Sequence, residues 1–194
     1  MAYIESSTPA STPLATLAGN SIARRIAIIA LGSLVIAAAA RINVPMYPVP
    51  MSLQTLAIIV IAALSGFRLS SEILGAYLIQ GIIGLPVFAT GAGFAYFMGP
   101  TGGYLVGFFL GAIAIGYLAD RGWNNSLPKL AASLTLGHAL VFVPGVAWLA
   151  VLIGWEKALV SGLAVFIVGS IVKTLLGVAM VKAALRGRSA APTI

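Results

Sequence analysis

One lysine stands where a lysine is hardest to keep. Lys173 lies inside an apolar run, with VFIVGSIV before it and TLLGVAMV after it, too far from either end of a spanning helix for its ammonium to reach water easily. Holding a lysine near mid-bilayer costs at least ~2.5 kcal/mol on insertion scales, so the residue needs a partner or a water-filled cavity. No acid lies within the apolar runs to pair with it: Glu5 is in the N-terminal tail, Glu72 and Asp120 stand at helix ends, and Glu156 at a turn. A structural ion pair is therefore poorly supported. Either Lys173 faces a polar cavity and donates to an acceptor or carboxylate of a ligand, or backbone carbonyls or an interface solvate it. Ser170, three residues earlier on the same helical face, can add a hydroxyl to that site.

Other polar residues in the apolar runs offer less. Gln54 and Gln80 would cost free energy if left unpaired, and contact with a ligand or a helix–helix hydrogen bond would answer equally well. His138 has no acid or cysteine companion in the sequence, which favours a packing or hydrogen-bonded histidine over a general base. GSIVKT at 169–174 lacks the glycine before its lysine that a phosphate loop needs, and no strand precedes it. No GxSxG elbow is present. The chain has no cysteine and one histidine, which excludes disulfides, thiolate metal sites and cysteine nucleophiles. The expectation is a protein that is not an enzyme and carries no metal or cofactor; an embedded enzyme using His138 is the reading from another class.

The elements that must position these residues are membrane helices. Of 194 residues 60% are hydrophobic and 8% charged, with a mean hydropathy of +1.08, whereas soluble domains carry about 25% charged residues. Apolar runs fall at about Ile22–Ile42, Ser52–Gly66, Glu72–Leu85, Thr101–Ala119, Lys129–Ile153 and Lys157–Leu185. The second and third are short for a hydrocarbon core of ~30 Å. The fold class expected is an all-α integral membrane protein of six transmembrane helices, with Pro/Gly-rich outward-facing loops capping a ligand pocket. Its organisation reads as a mobile N-terminal tail over 1–20, a membrane domain over 21–186 and a cytoplasmic C-terminal tail over 187–194. Six helices leave too few residues for a catalytic domain of usual size.

Charge gives the orientation. With the N-terminus inside, the inner segments hold Arg24, Arg25, Arg68, Arg121, Lys129, Lys182, Arg186 and Arg188, and the outer ones only Arg41 and Lys157. That asymmetry follows the positive-inside rule and puts both termini in the cytoplasm. It also accounts for the net charge of +7 without nucleic acid as a partner.

The outward loops are apolar where solvated loops would be charged. NVPMYPVPMS at 43–52 has three prolines within six residues, which stiffen it and bias it toward extended geometry. Its Met46 and Tyr47 either fold back over the bundle mouth or anchor the loop at the membrane surface. GLPVFATGAGFAYFMGPTGG at 84–103 has six glycines and two prolines, against a regular helix there, while Phe88, Phe94, Tyr96 and Phe97 offer flat apolar surface. Irregular backbone at membrane depth is tolerated where it is covered by protein or lines a cavity. The two loops read as a lid.

The string NVPMYPVPMSLQTLAI, followed by GLPVFATGAGFAYFMGPTGGYLVGF, resembles the BioY family, the biotin-binding substrate components of energy-coupling factor (ECF) vitamin transporters. The similarity runs from about the first span to the last. It implies capture of biotin at the outer side of the cytoplasmic membrane and delivery inward with a transmembrane coupling subunit and two ATPases, ATP being used only by those partners. The family's last helix usually reads GDxxK, its acid and lysine helping to hold the vitamin's polar head; here GSIVK keeps Lys173 and puts Ser170 in place of the acid. At the position of Thr90 the family often has Asn or Gly. Against biotin, the resemblance assigns polar contacts to Lys173, Ser170, Thr90 and Gln54, and apolar contacts to Tyr47, Phe88, Phe94 and Tyr96. An S component for a different small vitamin is the alternative, motivated by Ser170. The family also uses small residues of its first helix against the coupling subunit, which points to Ala23 and Ala27, although internal packing explains such a pair as well.

Overall fold

The computed structural model describes residues 12–189. These residues are mainly helical: α1 (Pro13–Ala18), α2 (Ile22–Arg41), a pair of two-residue strands β1 (Asn43–Val44) and β2 (Met51–Ser52), α3 (Gln54–Ile82), α4 (Gly93–Phe97), α5 (Gly102–Asp120), α6 (Leu127–Ile153), α7 (Trp155–Leu159) and α8 (Val165–Ser189). A π-helical turn, Val160–Ala164, joins α7 to α8. Among the described residues five helices are long and apolar enough to cross a membrane: α2, α3, α5, α6 and the continuous stretch Trp155–Gly187.

The second of these is not straight. The Gln54 amide lies 3.0 Å from the Tyr77 hydroxyl, whereas 23 residues of unbroken helix would hold them roughly 35 Å apart. The break is Gly66, at φ +74° and ψ 177°, which folds α3 into two antiparallel arms, 54–65 and 67–82. A β-carbon at Gly66 would stand 2.2 Å from Asp120 Oδ1, so the turn requires glycine both for its dihedral and for space. Distant residues satisfy its backbone. Asp120, ending α5, accepts from the Phe67 N–H at 2.8 Å and so caps the second arm. Asn124 donates to the Ala63 carbonyl at 2.6 Å, and Lys182 of α8 holds the Asn124 and Asn125 carbonyls at 2.8 and 3.0 Å. Gly66 is buried, and buried backbone groups at a bend need partners of this kind.

The expected runs Ser52–Gly66 and Glu72–Leu85 fall on these two arms. The turn between them shrinks to a single glycine because its cap comes from α5, which no local sequence signal announces. Residues 13–18, expected in a mobile tail, form α1, packed on α2 and α3 with Ala18 buried; residues 1–11 of that tail and the C-terminal residues 190–194 lie outside the described residues. At the same end of the bundle Arg25 clasps Glu72 through two nitrogens, with Arg68 nearby.

The interior is built around α5, packed between α3 and α6. Its approach to α6 is close: a β-carbon at Gly107 would lie 2.6 Å from the Val141 carbonyl oxygen, and one at Gly111 2.9 Å from that of Gly137. Small residues here let backbones meet. In contrast α2 turns most of its surface outward, Ala23 and Ala27 included. Two apolar clusters result: a larger one centred on α3 and α5, joined by residues of α2, α6 and α8, and a smaller one among α5, α6, α7, α8 and Val49 of the first outer loop.

Candidate functional site

Between those clusters, at the end of the bundle opposite Gly66, the loops turn inward. β1 and β2 pair antiparallel, Asn43 with Ser52 and Val44 with Met51. The hairpin is tied to the end of α2 by the Leu53 N–H on the Ile42 carbonyl (2.9 Å) and by the Asn43 amide on the Ala40 carbonyl (3.2 Å). This drops Ser52 to the depth of Lys173, whose ammonium donates to the Ser52 carbonyl at 2.7 Å. A backbone carbonyl thus solvates Lys173, and the residue borders a cavity. It is 7% exposed and forms no ion pair among the described residues.

The cavity has two kinds of wall. Tyr104 of α5, Phe142 of α6 and Phe166 of α8 form an aromatic cluster with ring centroids 6.2 to 6.4 Å apart. Tyr104 is fixed further, its hydroxyl donating to the Gly162 carbonyl in the π-turn at 2.8 Å, and its ring lying where a β-carbon at Gly145 would be. Opposite stands the second loop, with Phe88 stacked on Tyr96 at 5.3 Å and fully buried. Val49 and Pro50 of the hairpin contribute, and Ser52, Gln54, Thr55, Thr101, Ser170 and Lys173 supply the polar groups. Largely apolar walls with a few placed polar groups suit a small-molecule site. The free volume is about 50 Å³, room for a few waters, so a larger guest requires a wall to move.

Of the residues expected at a site, Lys173, Ser170, Gln54, Phe88 and Tyr96 border this cavity together. Thr90 does not; it stands behind Tyr96, with the two hydroxyls 3.3 Å apart. Phe94 and Tyr47 are also outside it, 62% and 93% exposed. Phe94 precedes Tyr96 by two residues, and the short helix α4 sends side chains so spaced to different faces. That helix occupies the stretch expected to resist one, where five residues, 94–98, are free of glycine and proline. In the hairpin Val49 and Pro50 face inward and leave Tyr47 at the tip. Sequence reasoning missed Tyr104, Phe142, Phe166, Val49 and Thr101. Tyr104 had a signal, its place in the GPTGGYLVGF string; Phe142 and Phe166 look like any aromatic in an apolar run.

Gln80 and His138 do not border this cavity. Gln80 donates to the Ser33 hydroxyl across α2 and α3 at 3.2 Å. His138 Nδ1 lies 3.2 Å from both the Leu134 carbonyl and the Thr174 hydroxyl. Among the described residues no group of three or more His, Asp or Glu could hold a metal ion.

The BioY family model matches residues 8–190. The chain is 33% identical over 149 residues to a probable biotin transporter BioY of Rickettsia prowazekii (strain Madrid E), covering 76% of each chain. It is 33% identical over 163 residues to the biotin transporter BioY2 of Lactococcus lactis subsp. cremoris (strain MG1363), covering 80% of this chain and 89% of that one. Among solved structures it is similar to the S-component for biotin from an ECF-type ABC transporter, with a TM-score of 0.76 at 28% identity over 87% of this chain and 94% of that one. A family model matching nearly the full length, relatives covered over most of their own length and a shared helical architecture place this multi-pass membrane protein in the BioY family.

Proposed function

We propose that the chain is the biotin-capturing S component of an ECF transporter in the cytoplasmic membrane, taking biotin at the outer end of the bundle and delivering it inward with a coupling subunit and two ATPases. The observation that carries this reading is the buried Lys173 ammonium at an aromatic-walled cavity, with no carboxylate among the described residues to neutralise it. A ligand acceptor is what that charge lacks.

The surroundings of Lys173 favour one part of biotin. Ser170 lies one helical turn away, and Gln54 follows by two residues the Ser52 carbonyl that Lys173 grips. A donor beside groups able to accept fits a cyclic urea, with a carbonyl flanked by two N–H groups, better than a carboxylate, which only accepts. The apolar thiophane and valeryl chain then lie against the aromatic walls, and the carboxylate faces the mouth. Ser170 in place of an acid gives a neutral bond, worth about 1 kcal/mol against about 1.5–3 for a charge-assisted one. That substitution is also the observation behind the second reading, an S component for a different small vitamin.

In this reading the two arms of α3 both cross the membrane, giving six crossings with both termini cytoplasmic, because Arg25, Arg68, Arg121 and Lys182 then gather at the inner end. The cavity lies at the other end. The exposed face of α2 bearing Ala23 and Ala27 meets the coupling subunit, since small residues allow close helix approach. His138 has no role in catalysis.

The test is competition. Labelled biotin bound to the purified protein is expected to be displaced by unlabelled biotin and by its methyl ester. An analogue with the ureido oxygen replaced by an imine should compete poorly. Displacement by an unrelated vitamin at lower concentration than biotin would favour the second reading.

A further inference from the structure

Behind the cavity lies a buried hydroxyl that borders none of it. Tyr77, on the second arm of α3, is fully buried. Its oxygen is 3.0 Å from the Val87 carbonyl at the root of the second outer loop and 3.0 Å from the Gln54 amide nitrogen on the first arm. We propose that Tyr77 is a positioning residue that fixes Gln54 as a hydrogen-bond acceptor toward the ligand.

The argument is proton bookkeeping. A phenol has one proton, and the Val87 carbonyl can only accept, so the tyrosine's proton is committed there. What the Tyr77 oxygen offers Gln54 is a lone pair, and only the NH₂ end of a carboxamide can meet it. A flipped amide would set its oxygen against an oxygen with no proton to give. The orientation of Gln54 is thus determined by the network, in a side chain whose own backbone N–H is held by the Ser52 hydroxyl at 3.3 Å. Because Gln54 borders the cavity, it brings its carbonyl oxygen to a site where Lys173 brings a donor. An acceptor beside a donor is the complement of an N–H beside a carbonyl, the pattern of a cyclic urea. The inference rests on the biotin reading above and deepens it: the acceptor that an acid at position 170 would supply comes from α3, oriented from behind by Tyr77. The same hydroxyl grips the loop one residue before Phe88, whose ring meets Tyr77 edge-on at 5.6 Å, so that loop and amide are set together.

The experiment is a double-mutant cycle of Tyr77→Phe and Gln54→Met, read as biotin Kd on purified protein, with thermal unfolding to show that each variant is folded. Tyr77→Phe removes one oxygen, and biotin affinity is expected to fall about three- to tenfold, the scale of one neutral hydrogen bond. In the Gln54→Met background the same substitution should change Kd by less than about twofold, because the group it orients is gone. Equal losses in both backgrounds would show a packing role and overturn the proposal, as would no loss in the parent protein. Should Tyr77→Phe fail to fold, Gln54→Met alone decides: a folded variant with undiminished biotin affinity overturns the acceptor role. Lys173→Met in parallel separates the two levels of the argument. Parent protein that binds biotin, weakened by Lys173→Met but not by Tyr77→Phe, overturns the inference alone; parent protein that binds no biotin overturns the reading beneath it.

Discussion

Replacing Lys173 by methionine should move binding and stability apart. Methionine keeps the length and apolar stem of the side chain and removes the charge. In the folded protein that charge is 7% exposed and bonded to the Ser52 carbonyl at 2.7 Å. Removing it relieves a burial cost of about 2.5 kcal/mol or more and forfeits a charge-assisted bond of about 1.5–3 kcal/mol, so unfolding stability should stay within about 1 kcal/mol of the parent. On the ligand side nothing offsets the loss. A charge-assisted bond of about 1.5–3 kcal/mol corresponds to a Kd roughly 10- to 150-fold weaker. Calorimetry or radioligand binding on purified protein, beside thermal unfolding, reads both quantities. Biotin and its methyl ester should weaken by the same factor, since the carboxylate is placed away from Lys173. A folded variant with unchanged Kd would refute the reasoning. Weakening confined to free biotin would show instead that Lys173 holds the carboxylate.

Further outcomes follow from the same contacts. Gly66→Ala forces a β-carbon at positive φ into a point 2.2 Å from Asp120 Oδ1; a loss of at least ~2 kcal/mol is expected from the dihedral and the overlap together, seen as a lowered unfolding midpoint. Tyr104→Phe leaves the buried Gly162 carbonyl without its 2.8 Å donor, an expected loss of about 1–3 kcal/mol, and weakens biotin binding because the π-turn it holds leads into the helix bearing Ser170 and Lys173. Ala23→Leu with Ala27→Leu, both on exposed positions of α2, should leave biotin Kd unchanged while abolishing uptake in cells that supply the coupling subunit and ATPases.

What the sequence revealed and what it hid follow physical lines. Composition and run length were enough for a helical membrane protein, because a bilayer admits few alternatives. Lys173 was legible because a lysine in an apolar run is costly wherever it points. Gln54 and Ser170 were legible as polar atoms near it, but their placement depended on loop geometry. The bend at Gly66 was less visible, since its caps, Asp120 and Asn124, are 54 and 58 residues away in the chain. Tyr47 and Phe94 stood out as aromatics in loops, yet which face of a hairpin tip or a single helical turn points inward is settled by register, and neither lies at the cavity. Tyr104, Phe142 and Phe166, which do, are set by how α5, α6 and α8 meet, a property of packing that no single run encodes. Tyr77 was invisible for the same reason: its importance lies in two partners brought to it by the fold.

The central claim is that this chain, alone, captures biotin. Equilibrium binding of labelled biotin to the purified, detergent-solubilised protein, without ATP, coupling subunit or ATPases, tests it most directly. The account predicts one saturable site per chain, displaced by unlabelled biotin and weakened in Lys173→Met. Protein shown by its unfolding transition to be folded, yet without saturable biotin binding, would contradict it.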